Sequence, residues 1–245
     1  MRELLFGRNA VYEALQAGRR QAFRLLVAEG AQEKGRLAEI LALCYARKIA
    51  IERVPRARLD RVNPGHQGVI LEVSGYPYGA LPDLLELARQ ASPSPLFLIL
   101  DTLQDPQNLG TLLRTAEAVG VSGVLLPFKQ TVTVTPAAVN ASSGASEHLS
   151  IAQANLAQAI HALQEAGVWV VGLDAGEDAQ PPDKVHLDGS LALVVGSEGG
   201  GMRPLVRKSC DQLMRLPMRG KVESLNAAVA GSIALYLAWQ GRGDN

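Results

Sequence analysis

The sequence predicts an α/β protein built on a parallel sheet covered on both faces, and three observations carry that prediction. Four short runs, "LFLIL", "GVLLP", "VWVVGL" and "LALVV", are continuously apolar instead of alternating, as strands buried on both faces must be. The stretches between them are long enough to hold helices, which gives the strand–helix alternation of a covered parallel sheet. A glycine-rich turn, "GSEGGGM", follows the last run and leads to Pro204, a residue suited to the first position of a helix.

The front of the chain alternates in the same way. "GRNAVYEALQAG" reads as a helix stopped at Gly18, "FRLLVA" as a strand, "EKGRLAEILALCYARK" as a helix and "IAIERV" as a strand. "HQGVILEV", from His66 to Val73, is expected to close this unit as a further strand. Pro and Gly then cluster in "SGYPYGALPD" and again in "ASPSP", on either side of a short helical stretch, "LPDLLELARQ". The expected division is therefore a domain over residues 1–75, a linker over 76–95 and a second domain over 96–245. After "LFLIL", the residues Leu109, Leu112, Leu113, Ala116 and Val119 share one helical face, and Gly120 follows as the stop.

Composition bounds the function. A chain of 245 residues, 47% hydrophobic and 20% charged, can bury a sizeable core. No apolar run approaches the ~20 residues of a membrane span, and "MRELLFGRNAV" lacks the apolar centre of a signal peptide, so a cytoplasmic protein is expected. Cys44 and Cys210 stand far apart and the four histidines form no ligand spacing; neither a disulfide nor a metal is expected. The net charge of zero conceals an asymmetry. Residues 1–75 carry 13 Lys+Arg against 8 Asp+Glu, a net of +5, and the remainder is net −5. A basic front module suits a phosphate-backbone partner, although a solvated basic surface is the commoner explanation for so small an excess.

On a parallel sheet, ligands gather beyond the carboxyl ends of the strands. The loops at issue are Asp101 to Gly110, Gly172 to Glu177, Gly196 to Met202 and Leu216 to Asn226. The glycine-rich loop is first read as a phosphate cradle, and its spacing argues against that. Met202 and Arg203 stand where a P-loop needs Lys and Ser/Thr, and Glu198 occupies the second glycine position of a dinucleotide fingerprint. A carboxylate in the cradle points to a ligand that is not an anion. Asn108 is expected to act as the N-cap of its helix, and Ser224 or Asn226 as the cap of the small-residue helix that follows. Arg114 lies a turn and a half beyond Asn108; a solvent-facing role and one in the strand-end crevice are both open to it. Three polar loops with little net charge fit a ligand that is part adenine-like and part zwitterion.

"DPQNLGTLLRTAEAVG", "VVGSEGGGM" and "LPMRGKVESLNAAVA" resemble, in order and spacing, the three motifs of the SpoU (TrmH) family of RNA ribose 2′-O-methyltransferases in the SPOUT superfamily. The front segment, "HQGVI" included, resembles the substrate-binding domain of the RlmB-type 23S rRNA (guanosine-2′-O-)-methyltransferases. This resemblance implies a C-terminal α/β knot, in which the parallel sheet's chain is threaded into a trefoil, preceded by a small L30e-like α/β domain that binds RNA. Such threading departs from the general rule that chains do not knot. It also implies S-adenosylmethionine as cofactor, a homodimer with active sites near the subunit interface, and RNA, not DNA or membrane, as partner. By motif position Gly196, Leu216 and Leu225 would contact the cofactor, with glycine at 196 to let the cofactor approach the backbone. Glu198, Ser224, Asn226 and Asn108 would shape the catalytic pocket. Arg114 corresponds to the arginine that the family places at the 2′-hydroxyl; a guanidinium stays protonated, so holding a phosphate suits it better than acting as a base. A tRNA 2′-O-methyltransferase, a non-catalytic RNA-binding protein and a phosphate-cofactor enzyme are the rival readings.

Overall fold

A computed structural model describes residues 2–89, 94–221 and 224–242. The chain forms two compact units, Met1–Pro77 with Val134–His148, and Tyr78–Thr133 with Leu149–Asn245. Residues 90–93, in the expected linker, lie outside the described residues.

The first unit runs β1 (Arg2–Phe6), α1 (Arg8–Ala17), β2 (Ala22–Ala28), α2 (Arg36–Ala46), β3 (Ala50–Val54), α3 (Arg56–Asp60) and β4 (Val69–Ser74). Its sheet has the order β1-β4-β2-β3; β2 and β3 are parallel, and β4 is antiparallel to both β1 and β2. Helix α1 ends where expected, with Gly18 left-handed at φ 63° and its N–H returned to the Ala14 carbonyl. Two sequence expectations change here. β1 is an unforeseen edge strand, of which only Leu5 is buried. The strand expected from His66 starts at Val69, because "HQG" is a turn: Gln67 and Gly68 have φ 52° and 88°, and His66 Nδ1 accepts from the Gly68 N–H at 2.8 Å.

The chain then builds the second unit with α4 (Leu81–Ala88), β5 (Leu96–Leu100), α5 (Pro106–Ala118) and β6 (Gly123–Pro127). It next returns to the first unit with α6 (Pro136–Ala141). Residues 134–148, which the sequence groups with the C-terminal domain, are anchored in the first unit. Asn140 Nδ2 donates to the Phe6 carbonyl at 3.0 Å and the Tyr76 hydroxyl to the Ser146 carbonyl at 2.8 Å. The fully buried Glu147 carboxylate accepts from Arg20 Nε and, at 2.8 Å, from Nη2. Arg20 also reaches Glu3 at 2.6 Å, so the buried guanidinium is matched by two carboxylates.

The second unit is completed by β7 (Ile151–Ala154), α7 (Leu156–Glu165), β8 (Trp169–Leu173), β9 (Leu191–Val195), α8 (Pro204–Ser209), β10 (Gln212–Met214) and α9 (Ala227–Gly241). All strand pairs of the six-stranded sheet, order β10-β8-β9-β5-β6-β7, are parallel. Three of the four announced runs read as expected, every residue of β5, β6 and β9 being buried, while β8 leaves its first residue, Trp169, exposed. β7 and β10, four and three residues long, are edge strands that the apolar pattern does not announce. Helix α9 buries Ala228, Gly231, Ala234, Leu235 and Ala238; four of these are Ala or Gly, which permits close packing on α5, and Thr115 Oγ1 and Ser232 Oγ meet there at 2.9 Å. Cys44 and Cys210 are free thiols, and burial pushes their pKa values up to about 11 and about 12. Among the described residues, no helix is long and apolar enough to cross a membrane.

Candidate active site

The loop after β9 is closed by its own backbone. Ser197 and Gly201 exchange both N–H···O bonds at 3.0 Å, and Gly199 and Gly201 take φ of 72° and 62°. A Cβ on Gly196 would overlap the Gly201 carbonyl carbon and the Met202 amide nitrogen. The glycine expected to admit a cofactor is thus demanded first by the loop's own return strand. Beyond the loop, Pro204 opens α8 as its sequence position suggests.

The expected cap at Asn108 is also corrected. Asp105 caps α5, accepting the Gln107 N–H at 2.9 Å, and Pro106 takes the first helical position, where its missing N–H leaves no bond unmade. Asn108 lies inside the helix, buried, and its side chain makes no cap; Nδ2 instead donates to Glu198 Oε1 at 2.8 Å. Asn226 does cap its helix. Its Oδ1 accepts from Ala228 N and Val229 N at 2.9 and 3.1 Å, which turns Nδ2 outward to donate to Asn108 Oδ1 at 3.1 Å and to Glu198 Oε1. The helix terminus therefore fixes one amide, that amide orients the second, and both donors converge on one carboxylate oxygen.

Two cavities flank this cluster. One, of about 300 Å³, is lined by Leu173 to Ala175, Val195 to Gly199, Gly201, Arg215, Leu216, Met218, Ser224, Leu225, Ala227 and Ala230. The other, about 530 Å³, is lined by Thr102 to Asp105, Asn108, Gln130 and Arg203. Ser197 and Glu198 belong to both walls. Asp101, fully buried at the end of β5, accepts from the Arg203 backbone N–H at 2.7 Å and from its Nε at 2.8 Å, which pins the start of α8 to the sheet. Asp174 and Asp178 hold Arg207 at 2.9 and 2.6 Å; its pKa is raised further by these bonds, and the Asp178 carboxyl is held below its usual range.

Most of the residues singled out in the sequence come together. Gly196, Leu216, Ser224 and Leu225 line the first cavity, Asn108 the second and Glu198 both, while Asn226 reaches the cluster through its bonds. Arg114 is not among the residues that line these cavities. It is exposed and stands about 9 Å along α5 and about 120° around it from Asn108. Asp174, Thr102, Gln130 and Arg203 were not anticipated individually; their positions just past strand ends were the available signal.

The profile of the SpoU rRNA Methylase family matches residues 95–236, a span that contains both cavities' linings and the Asn108, Glu198 and Asn226 cluster. The chain belongs to the SpoU methylase family. Residues 222–223 of its third motif lie outside the described residues. The front unit of this SpoU methylase matches, over residues 4–79, the family described as RNA 2′-O ribose methyltransferase substrate binding. Among relatives, the chain is 43% identical to YacO of Bacillus subtilis, assigned to the TrmH family of tRNA/rRNA methyltransferases, over 98% of this chain and 96% of that one. A Staphylococcus aureus protein assigned to the same family is 40% identical over 98% and 97%. Among solved structures, the AdoMet-bound rRNA methyltransferase of Sinorhizobium meliloti superposes with a TM-score of 0.80 at 25% identity, covering 98% of this chain and 87% of that one. This SpoU methylase is accordingly an RNA methyltransferase with the parallel-sheet fold of its SPOUT neighbours.

Proposed function

We propose that this SpoU methylase transfers a methyl group from S-adenosylmethionine to the 2′-hydroxyl of a guanosine in 23S rRNA, as a cytoplasmic homodimer. The observation that carries this reading is the shared lining: Ser197 and Glu198 belong to two adjoining cavities, so a methyl donor in one and a ribose in the other would meet beside them. The first cavity suits the cofactor chemically. Its lining is mainly aliphatic and backbone, Asp174 and Glu198 supply negative charge for a sulfonium, and Arg215 is the single cation among the described lining residues. S-adenosylmethionine, when bound, supplies the electrophilic methyl group.

The chain's own residues would do the positioning, which is the larger part of such a displacement. Gly196, Leu216 and Leu225 would hold the cofactor, and Asn108, Glu198, Ser224 and Asn226 would set the ribose against it. Arg114 would orient a phosphate and the reacting hydroxyl through its fork of donors. Beside it, α9 presents Val229, Ile233 and Tyr236, each more than 40% exposed, as an apolar stripe suited to a second copy of the chain. The rRNA target is supported by the Sinorhizobium meliloti neighbour, and guanosine in 23S rRNA by the resemblance of the front unit.

The test is to incubate the protein and S-adenosylmethionine with unmodified 23S rRNA and with tRNA, then locate 2′-O-methyl groups by mass spectrometry. A single methylated guanosine in 23S rRNA is expected, and methylation of tRNA alone would overturn the assignment. For Arg114, a near-wild-type rate in Arg114→Lys excludes the forked role, and full activity in Arg114→Ala removes the residue from the site.

A further inference from the structure

The cavity on the ribose side of Glu198 does not end there. It shares Gln130 and Arg203 with a third cavity of about 400 Å³, lined further by Phe128, Lys129, Asn155 and Leu205. Side by side, the two cavities line a surface from Glu198, past Arg203, to the loop after β6, referred to below as the groove.

Three features give this groove a definite chemistry. Arg203 is anchored from behind: its Nε and backbone N–H are bonded to the buried Asp101, while its two terminal nitrogens carry no hydrogen bond among the described residues and the side chain is 40% exposed. A guanidinium held by Nε with its outer fork open is prepared for a phosphate. Lys129 is exposed and pairs with no carboxylate among the described residues, so a second positive charge lines the same groove. Phe128 and Leu205, each 65% exposed, line the same cavity as the two cations and give it an open aromatic and aliphatic surface.

An open arginine fork, a lysine and an unpartnered aromatic face in one groove match an unpaired RNA strand, whose phosphates meet the cations and whose exposed base stacks on the ring. We propose that this groove binds the single-stranded nucleotide next to the one methylated, with Arg203 and Lys129 on its phosphates and Phe128 against its base. These are positioning residues, and the inference rests on the reading of the chain as an RNA methyltransferase.

The decisive experiment places a reporter in the groove. In full-length Phe128→Trp, fluorescence is titrated with single-stranded oligoadenylate and with a duplex of the same length, using the parent protein to subtract Trp169 and Trp239. Quenching by the single strand and not by the duplex is expected. In parallel, Phe128→Ala should raise the KM for RNA roughly tenfold while kcat and cofactor affinity hold. Lys129→Ala should lower the slope of log affinity against log salt by about 0.7, the signature of one lost phosphate contact on a single strand. Arg203→Lys keeps a cation against Asp101, and thereby the fold, yet should lose affinity for RNA because the fork is gone. Absence of quenching together with an unchanged KM in Phe128→Ala and an unchanged salt slope in Lys129→Ala overturns the inference while leaving methylation intact. If the parent enzyme methylates no RNA, the proposed function fails, and the fluorescence titration still decides the groove.

Discussion

Asn108 and Glu198, ninety positions apart, are joined by a 2.8 Å hydrogen bond from Nδ2 to Oε1, and Asn226 closes the cluster by donating to both. One carboxylate oxygen is thereby held by two amides whose orientations are set by the start of α9.

Removing the first amide tests whether that arrangement matters to turnover. A hydrogen bond to a charged group contributes about 1.5–3 kcal/mol, so Asn108→Ala is expected to lower kcat roughly 10- to 100-fold with little change in cofactor affinity. Asn108→Asp is the sharper variant. It sets two carboxylates against each other, one of which is then ionised only at raised pH. Its residual activity should fall with rising pH as the two carboxyl groups lose their shared proton, which a pH–rate profile checks.

Gly196→Ala should be damaging before any ligand is involved. The added methyl meets the backbone of Gly201 and Met202, which has no rotamer through which to yield. A loss of about 1–3 kcal/mol in unfolding free energy, accompanied by loss of cofactor binding, is the expected outcome of denaturant titration and calorimetry.

In the first unit, Glu72 is bonded by Arg2 at 2.8 Å and by Arg24 at 2.5 Å, and these bonds hold its carboxyl below the ordinary range. A depressed carboxylate contributes stability above its unfolded pKa of about 4.3 and loses it as pH falls through that value and below. Glu72→Gln should therefore melt at a lower temperature than the parent at pH 7. The difference should shrink as the pH is lowered into the acid range, as thermal melts across pH would show.

The exposed stripe of α9 predicts the oligomeric state. Ile233→Asp places a charge amid Val229 and Tyr236 without touching the buried face at Ala234 and Leu235. Sedimentation is expected to show a dimer for the parent and a folded monomer for the variant, with methylation lost.

The parts of this fold that the sequence announced most plainly are those whose environment is uniform. β5, β6 and β9 are buried on both faces, so their apolar character is continuous and needs no partner to be recognised. β1, β7 and β10 are short edge strands that exist through pairing with distant segments, and Arg-Glu-Leu-Leu-Phe or Gln-Leu-Met carries no such pattern alone. At the site, the loops were legible and the bonds were not. Asp105 followed by Pro106 is itself a helix-start signal, which leaves Asn108 within the first turn. Nothing in the chain's spacing, however, indicates that Asn108, Glu198 and Asn226 meet, or that Asp101 holds Arg203 from behind.

The return of residues 134–148 to the first unit limits how this protein can be recombined. Glu147 and Arg20 are wholly buried against each other, and their partners lie on opposite sides of the chain's first departure from that unit. A graft that exchanged only residues 1–75 with another RNA-binding module would strand a carboxylate in the interior at a cost of about 3–5 kcal/mol. The transferable cassette is discontinuous: Met1–Pro77 must travel with Val134–His148, and a chimaera that respects both boundaries is the one expected to fold.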